Sequence, residues 1–352
     1  MERAVPTLAL TRPVTVWALG KAAAAMAAGA EAALGDQVAG GLVVAAEPAR
    51  LRTLPVLVGG HPFPTQASVV AGEALLAAAR ATRPGQQILL CLSGGASALS
   101  AAPAAGVRFE DLRDLTRMLL ASGAHISEIN ATRRRLSALG GGKLAAANQG
   151  RLSVLGLSDI ILQSETDDED RVWETLGSGP AWGGEAERYL LATPRTLRDA
   201  AIALIVADGG SAPVLPLYCG TVEDLAADLV DRAHRQAPGE VAVIVAEPSV
   251  TVTGSGIGGR AQHLALLLAV RLAGQPFALV ALGSDGRDGP TDAAGAVVDG
   301  DTAQLARAHG IDLDDAAHRF DSHPTLATLG CTLPRRSTGT NLCDLYLLSR
   351  TT

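Results

Sequence analysis

Val14-Thr15-Val16-Trp17-Ala18-Leu19-Gly20-Lys21-Ala22 decides the class of fold. A short, uncharged run rich in β-branched residues has the length of a strand. One glycine turns the chain, and an Ala-rich stretch of helical length follows to Leu34. The pattern then recurs. Strands are predicted at Val14–Leu19, Gly41–Ala45, Gln87–Leu92, Ser153–Leu157, Ala242–Ala246 and Ala278–Leu282. Helices are predicted at Lys21–Leu34, Ala67–Arg80, Phe109–Ser122, Ile126–Leu139, Thr193–Ala207, Thr221–Gln236 and Ala261–Leu272. Strands with no polar interruption suit parallel strands buried on both faces. Their alternation with helices argues for stacked βαβ units, an α/β fold.

At 352 residues the chain is long enough for two domains, because single cores rarely grow past about 250–300 residues. Composition turns toward acid and glycine between Gln163 and Glu187, which reads as a long surface connection, a lid or hinge. The division is placed after it, giving domains 1–200 and 201–352. Apolar residues make up 48% and aromatics 3%, so the core must be built from Ala, Leu and Val. Net charge is −7 and no Lys/Arg stripe is interleaved with aromatics, which argues against nucleic acid as a partner. No uncharged run reaches the roughly 18–20 residues of a membrane span. Arg12, Lys21 and Glu31 interrupt what could pass for a secretion signal. Cys91, Cys219, Cys331 and Cys343 form no C-x-x-C pair, which fits a reducing cytoplasm. The sequence does not fix an oligomeric state; a homodimer is compatible with it.

In an open parallel sheet, ligands bind at the C-terminal ends of strands, and several unusual turns fall there. Lys21 opens a helix after Gly20, where free N–H groups and the helix dipole favour phosphate. The Gly-x4-Gly spacing of a P-loop is absent, and an ordinary surface lysine is the alternative. Ser93-Gly94-Gly95-Ala96-Ser97 offers backbone N–H groups and two hydroxyls, a nest for a carboxylate or phosphate if it is more than a plain turn. Arg133-Arg134-Arg135 lie on one helix, so at most two can face one ligand. Asp159 follows a strand and suits a base, a magnesium ligand or a helix cap. Glu247 and the glycine string Gly254–Gly259 precede Arg260, whose planar fork at a helix start suits phosphate. Asp285, Asp288 and Asp292 crowd the loop Gly283–Gly295, too short for an EF-hand, where carboxylates could deprotonate a hydroxyl or hold magnesium.

Taken together, these strings resemble the type 2 glycerate kinases, the MOFRL family, historically labelled hydroxypyruvate reductases. The likeness runs from about Val14 to Leu348. It rests on Leu19-Gly20-Lys21-Ala22, Gly60-His61-Pro62-Phe63-Pro64, Ser93–Leu99, Asn130–Arg133, Ser158-Asp159, Ser178-Gly179-Pro180, Gly258-Gly259-Arg260, Asp285–Gly295 and Thr338–Asn341. The resemblance implies a parallel-sheet, Rossmann-like N-terminal domain and a smaller mixed-sheet C-terminal domain, with the active site in the cleft. It implies transfer of the γ-phosphoryl of ATP, with Mg2+, to D-glycerate, giving 2-phosphoglycerate. Carried over by motif, Lys21 and Arg260 clamp the transferring phosphoryl group. Asp285 is the base on the hydroxyl, and Asp159 orients substrate or metal. Ser93, Gly94, Gly95, Ser97, Arg133, Glu247, Asp288 and Asp292 bind substrate or phosphate. No metal-ligand set is assigned.

The chain departs from the family pattern in places. Val245-Ala246 stand for Gly-Gly, Ala261 and His263 for Asn and Glu, Gly140 for Lys, and Arg134-Arg135 for Lys-His. Ile161 onward replaces Pro-Gly-Asp, and Thr193-Pro194 replaces Ser-Asn. Three alternatives follow: a kinase of the same fold for another small hydroxy acid, a non-catalytic anion-binding relative, and an NAD-dependent reductase. Only Gly254–Gly259 supports the reductase, and no acidic residue follows it in the Rossmann manner.

Overall fold

A computed structural model describes residues 8, 10, 13–121, 126–161 and 169–351; the side chains of residues 120, 121 and 126–129 are not among those described. The described chain forms two compact units that change over between Ala192 and Thr193. Part of the acidic connection, including Asp167 and Asp168, and the last residue of the helix expected at Phe109–Ser122 lie outside the described residues.

The first unit holds β1 (Val14–Leu19), α1 (Ala23–Leu34), β2 (Val38–Ala45), β3 (Val56–Val58), α2 (Gln66–Arg80) and β4 (Gln87–Ser93). It continues with α3 (Ala96–Leu99), α4 (Phe109–Ala121), α5 (Ile126–Leu136), α6 (Lys143–Ala147), β5 (Arg151–Leu157), α7 (Glu169–Thr175) and β6 (Glu187–Ala192). The six strands form one parallel sheet in the order β3-β2-β1-β4-β5-β6. Every residue of β4 is buried, as expected for a central strand covered on both faces. The alternation along β1 divides its side chains between two cores. Trp17 and Leu19 pack with Leu75 of α2 and Leu144 of α6, while Val14, Val16 and Ala18 pack with Met26 and Ala27 of α1. The alanines of α1 let that helix lie close on the sheet. Strand order reverses between β1 and β4, so the turns after these two strands flank a topological switch point, the crevice where such sheets bind ligands.

Helix α5 ends at Leu136, three residues before the predicted end. The Ser137 hydroxyl accepts the N–H groups of Leu139 and Gly140, and the Lys143 ammonium donates to the carbonyls of Arg134 and Ser137 at 2.7 and 2.6 Å. A serine turn and a cation therefore satisfy the groups freed at the helix end.

The second unit holds α8 (Pro194–Ala207), α9 (Val222–Arg235), β7 (Val241–Ala246), α10 (Arg260–Arg271), β8 (Ala278–Gly283) and β9 (Ala293–Asp299). It continues with α11 (Thr302–Ala308), α12 (Leu313–His318), α13 (Ser322–Thr328), β10 (Thr332–Pro334) and β11 (Asp344–Ser349). A division at 200/201 would cut α8, which packs on β7 and is capped by Thr193 accepting the Thr196 N–H. The five strands run in the order β10-β9-β8-β11-β7, every neighbouring pair antiparallel. The mixed character expected of this sheet is confined to isolated parallel bridges such as Tyr218 with Ala246. The reason is β11, which enters between β7 and β8 and pairs antiparallel with both. The same insertion separates β7 and β8, so the glycine string between β7 and α10 does not belong to a Rossmann βαβ unit, contrary to the reductase alternative. Helix α10 is buried through most of its length and packs Leu264 and Leu268 against Ile244, Leu279, Tyr346 and Leu348 of the sheet.

Candidate active-site residues and their surroundings

The predicted site residues fall into one cluster in each unit. In the first unit, the Lys21 N–H donates to the Gly94 carbonyl at 2.9 Å and ties the turn after β1 to the turn after β4. Buried Ser93 braces this junction, donating to the Leu19 carbonyl at 3.2 Å and accepting the Ala22 N–H at 3.1 Å. Its hydroxyl is committed to the scaffold, and Gly20 leaves it room, since a Cβ there would come within 2.3 Å of it. Gly95 adopts φ +85°, and a Cβ on it would stand 3.1 Å from both the Lys21 and the His61 side chains. A Cβ on Gly94 would reach 2.5 Å from the Asp159 carboxylate. These glycines hold Lys21, His61 and Asp159 close around bare backbone. The Ser97 hydroxyl donates to that of Ser178 at 2.7 Å.

The three consecutive arginines separate as helix geometry requires. Arg134 pairs with Glu174 at 2.9 Å, and Arg135 is exposed. Arg133 is partly buried, which lowers its pKa. Among the described residues no carboxylate pairs with either Arg133 or Lys21. His61 records the resulting field. Burial, then the charges of Lys21 and Arg133, push its pKa down to about 4, so it is neutral at pH 7. Uncompensated cations at a switch point suit a small anion. His61 was quoted only as part of a motif; nothing in its sequence surroundings shows that the fold carries it to Lys21.

In the second unit, Arg260 is held by two carboxylates. It reaches Glu247 at 3.2 Å and grips Asp344 with two nitrogens, at 3.1 and 3.4 Å. Tyr346 donates to Asp344 at 3.2 Å. Glu247 follows β7, Arg260 opens α10 and Asp344 opens β11, which lies beside the ends of β7 and β8. Asp344 and Tyr346 carry no site signal in the sequence, where they are an isolated pair at the start of a strand. Burial raises the Asp344 pKa to about 7 despite the guanidinium beside it.

A carboxyl whose pKa rises on folding favours the native state when protonated, so stability is present below about pH 4 and is lost as pH climbs through 7. Asp344→Asn is expected to remove this slope. In thermal melts the variant should gain on the parent between pH 5 and 8, by at most about 4 kcal/mol. Parallel melting curves across that range would contradict the assignment.

The three aspartates of the 283–295 loop have different fates. Asp288 is buried: its carboxylate accepts the Ala261 N–H at 3.0 Å, the Gln262 N–H at 2.8 Å and the Gln262 side chain at 2.9 Å. It caps α10 from a distance, and a Cβ on Gly259 would fall 2.2 Å from it. Burial raises its pKa against those bonds. Asp292 is exposed and pairs with His323 at 3.0 Å. Asp285 accepts the Arg287 N–H at 2.9 Å within its own turn and is partly exposed. That turn is pinned to the 335–338 segment, where a Cβ on Gly286 would meet the Arg336 carbonyl at 1.6 Å. The departures Ala261 and His263 are buried on α10, with His263 stacked on Phe320.

Comparison with known proteins accords with this architecture. Residues 2–193 match a domain of unknown function, DUF4147, and residues 240–344 match the MOFRL family. The chain is 32% identical to a D-glycerate 2-kinase of Thermotoga maritima, over 99% of this chain and 93% of that one. It is 30% identical to a glycerate 2-kinase of Pyrococcus horikoshii, over 95% and 86%. The crystal structure of a Thermotoga maritima glycerate kinase superposes with a TM-score of 0.88 at 29% identity, covering 99% of this chain and 94% of that one. No helix of the described residues is long and apolar enough to cross a membrane.

Proposed function

From the premise that the chain belongs to the type 2 glycerate kinase family, we propose that it is an ATP-dependent D-glycerate 2-kinase. What supports this is a pair of cations: Lys21 at the switch point of the parallel sheet and Arg133 near enough to act on the same His61, neither with a carboxylate partner among the described residues. Phosphoryl transfer is catalysed mainly by positioning and charge stabilisation. Lys21 and Arg260 supply that charge to the transferring group. Arg133, Ser97 and the Gly94-Gly95 backbone receive the substrate carboxylate, and Asp285 takes the proton from the 2-hydroxyl. Asp159, held against Gly94, orients the substrate. Ser93 and Asp288 serve by holding the two turns in shape.

Magnesium bound to the triphosphate would neutralise phosphate charge there. Among the described residues no group of three His, Cys, Asp or Glu side chains is spaced to hold an ion alone. One or two carboxylates suffice when phosphates complete the shell, and exposed Glu247 beside Arg260 is suited to that. The four cysteines are free, in keeping with a cytoplasmic location.

The test is ADP release with ATP, magnesium and D-glycerate, with L-glycerate as control. Turnover with the D isomer alone is expected; its absence across both isomers would refute the reading. Lys21→Ala is expected to lower kcat by about 100-fold or more, the scale of losing one transition-state charge contact. A kcat within about twofold of the parent would remove Lys21 from the reaction.

A further inference from the structure

The second unit contains a cavity of 610 Å³, and of the residues that line it only Arg260 has a role above. Its walls are Pro248, Val250 and Val252, from the segment after β7, and Phe320, from the turn between α12 and α13. Arg260 lies at its edge, with His263 and Ser322 in the lining. We propose that this cavity receives the base and ribose of the nucleotide, with Arg260 at its phosphate end. The inference rests on the kinase reading for its ligand class.

Size is the first argument. Ligand pockets run to about 300–1,000 Å³ and enclose most of what they bind. Glycerate, a three-carbon acid, would leave this cavity largely empty, whereas a base and ribose would occupy far more of it. The second argument is the chemistry of the walls. Three aliphatic side chains and an aromatic ring suit a flat heteroaromatic base. The Phe320 ring stacks on His263 with centroids 4.7 Å apart and planes 18° apart. Phe320 holds a left-handed backbone, φ 57°, which costs a bulky residue energy and is concentrated in ligand clamps and functional sites.

The lining also holds unspent hydrogen-bonding capacity. His263 Nδ1 and Ser322 Oγ are buried, and neither has a hydrogen-bond partner among the described residues. His263 is 5% exposed and Ser322 is 0% exposed. A buried polar atom without a partner costs about 1–3 kcal/mol, and a ligand that shifts the Phe320 ring stacked on His263 would give that imidazole a partner. Burial lowers the His263 pKa, which keeps the ring neutral and able to accept as well as donate. A Cβ on Gly258 would come within 2.0 Å of Ser322 Oγ, so a side chain there would crowd that hydroxyl. The amides of Ala261 and Gln262 are already spent on Asp288, so the guanidinium of Arg260 supplies the positive charge for phosphate.

Val252 is 61% exposed, so Val252→Asp is expected to fold while placing a charge on the apolar wall. Phe320→Leu removes the ring and keeps an apolar side chain. Each variant should raise the KM for ATP, and the Kd for ATP by calorimetry, about tenfold or more, with the KM for D-glycerate within about twofold. Hydrogen exchange on the parent, which needs no substitution, should show residues 248–259 and 319–323 slowed by ATP. ATP constants within about twofold of the parent in both variants, or slowing confined to other segments, would overturn the proposal. The kinase reading fails separately: a parent that binds ATP in this cavity without phosphorylating glycerate would retain the proposal and refute the activity.

Discussion

Replacing Arg260 by alanine is expected to lower kcat/KM for D-glycerate by about 10²–10³, the cost of removing one charge-stabilising donor. The same substitution should also destabilise the second unit. Asp344 is buried, and Arg260 is the cation that grips it through two nitrogens. Stripping one partner from a buried pair costs about 3–5 kcal/mol at a pH where the remaining charge persists. Removing Arg260 also removes the charge that holds the Asp344 pKa down, so Asp344 protonates more readily in the variant, and the loss of stability should shrink as pH falls while the loss of turnover remains. Adding Asp344→Asn to Arg260→Ala should restore much of the stability and none of the catalysis. Steady-state ADP release and thermal melts at pH 6 and 8 separate the two effects. Unchanged turnover in Arg260→Ala would disprove its catalytic role, and failure of the double variant to recover stability would disprove the pairing argument.

Asp288→Ala should produce the largest loss of stability among the acidic residues of the 283–295 loop. Its carboxylate satisfies two amides at the start of α10 and the Gln262 side chain. The residue at the usual capping position, Gly259, has no side chain to replace it. Loss of the cap and exposure of unsatisfied buried donors should together cost about 2–4 kcal/mol. Since α10 opens with Arg260, turnover should fall as well. Asp292→Ala is the comparison. Its carboxylate is exposed, and its pairing with His323 should be worth no more than about 1 kcal/mol. Urea unfolding of both variants checks the contrast; equal midpoints would mean that Asp288 does not hold the helix.

The parallel half was readable because strands buried on both faces appear as unbroken apolar runs. Gln87–Leu92 was expected and Gln87–Ser93 is found. Short and alternating strands were not readable: Val56–Val58 has only three residues, and Asp344–Ser349 buries alternate side chains. Strand β9 was hidden because its first residues, Ala293-Ala294-Gly295, end a loop chosen for its carboxylates. Lys21 and Arg260 could be found because each follows a glycine at the approach to a helix, although α1 begins at Ala23, two residues after Lys21. The partners that define their chemistry could not. Asp344 lies 84 residues from Arg260, and only the pairing of β11 with β7 and β8 brings them together. Asp288 and Asp292 look equivalent in sequence; burial alone makes one a structural cap and leaves the other at the surface.

Strand β11 follows its sheet partners in the chain yet lies between two of them. On the ribosome, β7, β8, β9 and β10 emerge before the strand that must separate β7 from β8. Until β11 arrives, β7 and β8 each present an unpaired edge, open to a chaperone or to a neighbouring nascent chain. Asp344 is the first residue of that strand, so the grip on Arg260 forms only when the sheet closes. A polypeptide interrupted before residue 344 would thus lack both a finished sheet and an anchored Arg260, and translation errors there would yield inert, aggregation-prone chains rather than misdirected phosphoryl transfer.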